Sequence, residues 1–190
     1  MILPSSQSAK IVAATQAWVD KAVIGLNLCP FAKAVQVKNQ IRYAVSGAAD
    51  TDALIADLVS ELHALAVADP NQLDTTLLIH PNVLTDFLDF NDFLDVADAA
   101  IEELELSGQI QIASFHPDYQ FAGTALDDIE NYTNRSPFPT LHLLRESSIE
   151  RATATFPDAS DIYEKNMATL RRLGHAGWLR LGLTRASTDK

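Results

Sequence analysis

The dipeptide His-Pro occurs twice in this chain, each time directly after an apolar, β-prone run. Residues 75–81 read T-T-L-L-I-H-P, and residues 110–117 read I-Q-I-A-S-F-H-P. Proline has no backbone N–H to donate to a neighbouring strand, so each proline ends a strand and leaves a histidine at its last position. Open α/β sheets build ligand sites at strand ends of this kind. The pattern therefore predicts two strands that place His80 and His116 at their ends.

Two further β-prone runs, and helical patterns between the runs, complete the predicted fold. The additional strands cover residues 41–46 and 140–145. Because helical crossovers join the first three strands, these strands should run largely parallel. The sequence thus predicts an α/β fold, with α+β as the alternative, in which helices cover a mixed four-stranded sheet. The predicted helices cover residues 8–24, 50–69 and 86–104, a segment from Ser147 that ends before Pro157, and a last segment from Asp158 or Ser160.

The length of 190 residues indicates a single globular domain over residues 1–190, with flexible ends at 1–7 and 184–190. The formal net charge of -11 opposes attraction to the phosphates of nucleic acid and to anionic lipid. No apolar run approaches the roughly 20 residues that cross a bilayer, and the N-terminal segment lacks the features of a secretion signal. We therefore expect a cytoplasmic protein that binds neither nucleic acid nor membrane.

A third histidine, His142, decides whether the two strand ends form a metal site. If the fourth strand runs antiparallel beside the third, His142 joins His80 and His116 at one edge of the sheet. If it runs parallel, His142 falls near the opposite edge. Three imidazoles with an open fourth position would form a catalytic site for a divalent metal such as zinc or iron. A carboxylate ligand would come from Asp118, Asp127 or Glu146.

Cys29 is the only cysteine of the chain and lies in the segment L-N-L-C-P-F-A-K. Pro30 suits the first position of a helix, which makes Cys29 its cap. A thiol there faces backbone N–H groups at the positive end of the helix, and this environment favours the thiolate. The pattern predicts a nucleophile or a soft metal ligand. The alternative is a buried cysteine that packs as a small hydrophobic residue.

Arg135 lies in the constrained loop N-R-S-P-F-P, directly before the fourth predicted strand. A guanidinium there is suited to gripping the carboxylate or phosphate of a substrate, with Asn131, Asn134 and Ser136 adding hydrogen bonds. The alternative is a loop arginine that pairs with surface carboxylates. Tyr119 and Phe121 would either line the binding site or anchor the loop in the core.

Three segments resemble the signature segments of one family. They are L-N-L-C-P-F-A-K (residues 26–33), F-H-P-D-Y-Q-F-A-G (residues 115–123) and N-R-S-P-F-P-T-L-H-L-L-R-E (residues 134–146). Over essentially its whole length, the chain resembles the bacterial and plant family called domain of unknown function 1415. The resemblance implies a stand-alone single-domain protein and brings no established activity. The same segments contain Cys29, His116, Arg135 and His142.

Three functional hypotheses follow from these residues. In the first, Cys29, His116 and Arg135 are catalytic residues of a metal-dependent enzyme that acts on a small anionic molecule. In the second, Cys29 attacks the substrate and a histidine activates it. In the third, the protein is a noncatalytic ligand-binding or adaptor domain, whose contact surface is the acidic helix with an aspartate at every third position from residue 86 to 98. A histidine also suits general acid or base chemistry without a metal.

Overall fold

A computed structural model describes residues 4–154 and 160–183. The predicted helix boundaries at Pro157 and Asp158, the predicted flexible end at residues 184–190, and residues 1–3 of the other end lie outside the described residues. The elements are α1 (Ser5–Trp18), a π-helical continuation (Val19–Ile24), α2 (Ala32–Val37), β1 (Ile41–Val45), α3 (Thr51–Val67), β2 (Thr75–Ile79), α4 (Phe87–Glu103), β3 (Ile110–Phe115), a 3-10 helix (Ile129–Thr133), β4 (Thr140–Arg145), α5 (Glu146–Ala154) and α6 (Ser160–Arg180).

The four strands form one mixed sheet in the order β1-β2-β4-β3. β1 and β2 are parallel, and β4 is antiparallel to both of its neighbours. Strands β1, β2 and β3 therefore point the same way, as the helical crossovers require. β2, α4 and β3 form a split β–α–β unit, in which β4 lies between the two parallel strands. The α/β prediction, with helices covering a mixed four-stranded sheet, is confirmed.

Side-chain alternation along the strands divides the core into two clusters, one on each face of the sheet. Leu78, Leu141 and Leu143 face α3 and α4 in the larger cluster. Leu77 and Ile79 face the opposite way and pack with α1 and the π-helical turn in the second cluster. The leucine stripe of α3 is fully buried in the larger cluster and consists of Leu54, Leu58, Leu62 and Leu65.

Helix α4 begins and buries its apolar side as its sequence requires. The Asp86 side chain caps the helix by accepting hydrogen bonds from the N–H groups of Leu88 and Asp89. Phe90 is fully buried in the core. The aspartates of α4 after the cap are exposed at positions 89, 92, 95 and 98.

None of the described helices has both the length and the apolar composition that crossing a membrane requires.

Candidate functional site

His80 and His116 leave the sheet on either side of β4. Thr140, the first residue of β4, pairs with both Ile79 and Phe115, the last residues of β2 and β3. The two histidines that follow those residues therefore lie at one edge of the sheet, where the sequence placed them. Both side chains are almost completely buried.

The two imidazoles hold the turn that leads into α4. His80 donates its Nδ1–H to the carbonyl of Val83 at 2.9 Å, and His116 donates its Nε2–H to the carbonyl of Leu84 at 3.2 Å. The Phe90 ring contacts both imidazoles, with centroid distances of 5.7 Å to His80 and 5.1 Å to His116. These contacts account for the burial of both histidines by packing and by hydrogen bonds to the backbone.

Burial keeps His80 neutral near physiological pH. Removal from water lowers the pKa of His80 to about 4, and the neighbouring His116 imidazole acts in the same direction. The hydrogen bond to Val83 opposes this shift but is the weaker effect. The Nε2 atom of His80 is buried and has no hydrogen-bond partner among the described residues.

His142 lies on the other face of the sheet. Its neighbours Leu141 and Leu143 face α3 and α4, so alternation turns His142 towards the α1 side. There His142 donates its Nε2–H to the hydroxyl of Thr75 at 2.8 Å, and its ring lies 5.9 Å from that of Phe115. Burial lowers the pKa of His142 to about 4.

The structure therefore does not bring the three imidazoles together. β4 does run antiparallel beside β3, as the metal hypothesis needed, but the alternation of side chains separates His142 from His80 and His116. In residues 4–154 and 160–183, no three side chains of histidine, cysteine, aspartate or glutamate form a group that could hold a metal ion. The geometry gives no support to zinc or iron at these histidines.

Backbone N–H groups lie beside the Cys29 sulfur, as its sequence context predicted, but burial has the larger effect on the pKa of the thiol. Backbone N–H groups of Phe31 and Ala32 hydrogen-bond the sulfur and lower its pKa, whereas removal from water has a larger effect and raises the pKa. The predicted preference for the thiolate is therefore wrong. The predicted cap also shifts, because α2 begins at Ala32 and not at Pro30. No hydrogen bond between described residues joins Cys29 to a histidine.

Arg135 lines a cleft with a volume of about 340 Å³, hereafter the Arg135 cleft. Three parts of the chain form its walls. The end of α1 supplies one wall, the connection between β3 and β4 supplies the second, and the C-terminal part of α6 with the residues after it supplies the third. The lining residues are Trp18, Pro117, Asp118, Tyr132, Arg135, Ser136, Pro137, Trp178, Leu179 and Leu183.

The Arg135 guanidinium is held in place by the loop that carries it. Nε donates to the carbonyl of Tyr119 at 3.2 Å, and Nη2 donates to the carbonyl of Leu126 at 2.6 Å. The guanidinium carbon lies 4.4 Å from the centroid of the Tyr132 ring, a cation–π contact. None of the ion pairs between described residues involves Arg135. The predicted alternative, a surface ion pair, is therefore absent from the described part of the chain.

The other polar residues of this loop bond the protein itself. The fully buried Asn131 accepts from the backbone N–H of Phe121 and donates to the carbonyl of Ala125. The side chains of Asn134 and Ser136 likewise donate to carbonyls, those of Ser114 and Phe138. These hydrogen bonds shape the loop that carries Arg135.

The sequence did not identify the aromatic walls of the cleft. Tyr132 lies between Arg135 and the last turns of α6, with its ring centroid 4.9 Å from that of Trp178. Trp18 is 2% exposed and packs mainly in the core. Because these residues come from distant parts of the chain, no local pattern connects them. Tyr119 and Phe121, predicted as wall or anchor residues, stack edge-to-face with centroids 5.0 Å apart.

A second cleft of about 340 Å³ lies between the end of β1 and α3. Carboxylates and hydroxyls dominate its chemistry. Ser46 donates to the carboxylate of Asp57 at 2.6 Å, and Arg42, which does not line the cleft, occupies both carboxylate oxygens of Glu61. This acidic cleft does not suit an anionic ligand.

Comparisons with known proteins give one match. The model of a family described as a protein of unknown function (DUF1415) matches residues 10–180. Comparisons with curated proteins and with solved structures give no match. The matched range includes all four strands, both histidines of the His-Pro dipeptides, Cys29 and Arg135. The chain therefore belongs to the family of proteins of unknown function DUF1415.

Proposed function

We propose that this protein binds a small anionic molecule in the Arg135 cleft. The proposal is supported by the way the Arg135 guanidinium is held and by the N–H groups that it leaves available. Its guanidinium is fixed by two backbone carbonyls and the Tyr132 ring. Its remaining N–H groups, including both on Nη1, have no acceptor among the described residues.

A fixed guanidinium is a favourable anion-binding group for two reasons. Its planar fork matches the oxygen atoms of a carboxylate or phosphate, and such charge-assisted hydrogen bonds are among the strongest in proteins. Because the loop already holds the side chain, little conformational entropy remains to be lost when a ligand binds. The rings of Tyr132 and Trp178 add apolar surface beside the charge, as is usual in small-molecule sites.

The proposal is one of binding and assigns no catalytic role to the histidines or to Cys29. His116 contributes through the backbone, because its Nδ1 accepts the N–H of Asp118 at 3.0 Å and so holds one wall of the cleft. His80 and His142 form no part of the cleft lining. Cys29 is a thiol whose pKa is raised by burial. The metal-dependent and thiol-dependent reactions therefore gain no support from the geometry.

Tryptophan fluorescence is a direct assay, because the chain has two tryptophans and both line the cleft. We expect a small aromatic acid such as phenylpropionate to change this fluorescence in a saturable manner. The substitution Arg135→Gln should weaken binding by about tenfold or more, since hydrogen bonds to charged groups contribute roughly 1.5–3 kcal/mol. Arg42→Gln is the matched control, because Arg42 bonds Glu61 outside the cleft.

A second pair of variants avoids disturbing the loop that Arg135 holds. Leu179 lines the cleft yet is 78% exposed, so a substitution there leaves the core intact. Leu179→Asp should weaken binding of the anion, and Leu179→Lys should strengthen it, with both effects shrinking as salt is added. Equal affinity in the wild type, both Leu179 variants and Arg135→Gln would remove the proposal.

A further inference from the structure

We infer that the acidic cleft between the end of β1 and α3 is a second ligand site, which binds a small primary amine through the carboxylate of Asp57. This inference concerns a different cleft from that of Arg135 and does not depend on the proposed function. Three features support it: the fixed and unpaired carboxylate of Asp57, the neutralised charge of Glu61, and the hydroxyl groups beside them.

The Asp57 carboxylate is held in place but carries an unpaired charge. Ser46 is 3% exposed, donates its hydroxyl to Oδ2 of Asp57 at 2.6 Å and accepts the backbone N–H of Ala48 at 3.0 Å. None of the ion pairs between described residues involves Asp57, and its Oδ1 atom has no hydrogen-bond partner among those residues. A carboxylate fixed in this way loses little conformational entropy when a cation binds.

The second carboxylate of the cleft is already neutralised. Glu61 accepts hydrogen bonds from Nε and Nη2 of Arg42 at 2.6 and 2.9 Å, so both of its oxygens are engaged. Among the described residues, the cleft therefore presents one uncompensated negative charge and not a cluster of carboxylates. A singly charged ammonium group matches this charge, whereas Ca²⁺ takes roughly six to eight oxygen ligands. The net charge of -11 on the chain adds to the attraction for a cation.

Hydroxyl groups and a small apolar surface surround the Asp57 charge. An ammonium group has three N–H donors, and hydroxyl oxygens can accept those that the carboxylate does not. Ser8 and Ser60 line the cleft, and no hydrogen bond between described residues engages either hydroxyl. The half-buried side chains of Val45 and Ala53 offer apolar contact to a short carbon chain. The volume of about 340 Å³, at the small end of the range for ligand sites, suits an amine of a few carbons.

Butylamine, butyltrimethylammonium and Ca²⁺ test the ligand class. The amide NMR signals of Ser46 and Ala48 report on the cleft directly, and we expect butylamine to shift them in a saturable manner. Butyltrimethylammonium has the same charge but no N–H to donate, so it should bind about tenfold more weakly. Equal affinity for the two compounds would overturn the amine inference. The same conclusion would follow if Ca²⁺ shifted these signals at a lower concentration than butylamine.

Asp57→Asn removes the charge and keeps an oxygen that accepts the Ser46 hydroxyl. It should weaken butylamine binding by about tenfold or more, because hydrogen bonds to charged groups are stronger than those between neutral groups. Asp95→Asn, at an exposed position of α4, is the matched control and should leave the affinity unchanged. Equal affinity in the wild type and both variants would show that Asp57 does not bind the amine.

Variants of Ser60 predict a gain as well as a loss of affinity, so a folding defect cannot imitate the result. Ser60 is exposed on α3 and lines the cleft. Ser60→Asp should tighten butylamine binding by about threefold and Ser60→Lys should weaken it by a similar factor, with both effects shrinking as salt is added. Equal affinity in both Ser60 variants would contradict recognition of charge in this cleft. These outcomes are independent of anion binding by Arg135, because no residue lines both clefts.

Discussion

At the residue scale, His80 and His116 each donate a ring proton to one of two consecutive carbonyls, those of Val83 and Leu84. Leu84 has a φ of 55°, a left-handed backbone conformation that residues other than glycine rarely adopt. Such a conformation persists only where surrounding contacts fix it. The two histidines supply those contacts, so their evident role is to shape the turn between β2 and α4. A bound ion is not needed to explain their positions.

The Cys29 thiol should react slowly with alkylating reagents in the folded protein. Since burial raises the pKa of its thiol, we expect slow alkylation by iodoacetamide at neutral pH and a rate that rises only above the pH range of a free cysteine. The chain has one cysteine, so the mass shift of the whole protein measures this site alone. The same protein unfolded in denaturant is the control and should react faster. Rapid alkylation of the folded protein, titrating below about pH 8.5, would restore the thiol hypothesis.

The orientation of His142 was only partly predictable from the sequence. Apolar residues on both sides of His142 indicate that it faces away from their shared core, and this alternation is readable from the sequence. Which face His80 and His116 take depends on the register between β2 and β4, where Leu77 pairs with His142. Register is set by contacts between distant segments, so the strand ends were predictable, whereas the separation of His142 from the other two rings was not.

At the element scale, one glycine directs α6 onto the Arg135 cleft. Gly174 has φ 62° and ψ 172°, which interrupts the helix between its two halves. The second half brings His175 and Trp178 against the ring of Tyr132, with centroid distances of 5.5 and 4.9 Å. The Lys21 ammonium group donates to the carbonyl of Leu181 and secures the end of the segment. One wall of the cleft therefore depends on a backbone conformation that suits glycine.

Gly174→Ala tests this dependence. A Cβ at this position would meet no atom within 4 Å, so the substitution acts through backbone conformation alone. We expect a loss of unfolding free energy of about 1–3 kcal/mol, together with altered tryptophan fluorescence and weaker ligand binding. Gly108→Ala is the matched control, because Gly108 also has a positive φ and open space around it but does not line the cleft. Unchanged fluorescence and affinity in Gly174→Ala would show that the wall does not need the kink.

The long helices were predictable from the sequence because their buried apolar residues recur at helical spacing. Helix α3 combines a cap at Asp50 with four buried leucines. By contrast, α2 and the 3-10 helix Ile129–Thr133 are too short to show a stripe. The sequence predicted a helix from Pro30 only through its cap, and it did not predict the 3-10 helix. The 3-10 helix carries Tyr132, so the missing element is also one that forms the candidate site.

At the scale of the whole molecule, the insertion of β4 between β2 and β3 determines what lies at the carboxyl edge of the sheet. The connection that precedes β4 must cross this edge, and it carries Arg135 and Asn131 with it. Crossover rules predicted parallel β1, β2 and β3, but they place no constraint on a strand that enters after a long loop. The direction of β4, and with it the assembly of the cleft, depended on tertiary contacts.

The lowered pKa values of His80 and His142 predict that the whole fold is sensitive to acid. A histidine in the unfolded chain has a pKa near 6.5, whereas His80 and His142 in the folded chain each have a pKa of about 4. The unfolded state therefore takes up protons first, so stability is greatest above about pH 6.5 and falls as the pH drops towards about 4. By pH 5 each histidine should reduce the unfolding free energy by about 2 kcal/mol. Denaturant unfolding at pH 7 and pH 5 measures this loss.

Carboxylates also titrate in acid, so the contribution of the histidines requires a comparison of variants. His142→Gln keeps an N–H group that can donate to Thr75 and removes the titrating ring. Its loss of stability between pH 7 and pH 5 should be smaller than that of the wild type by about 2 kcal/mol. His63→Gln, at an exposed position of α3, is the control and should lose as much as the wild type. If His142→Gln and His63→Gln lose the same amount, protonation of the buried imidazole does not limit the acid stability of this fold.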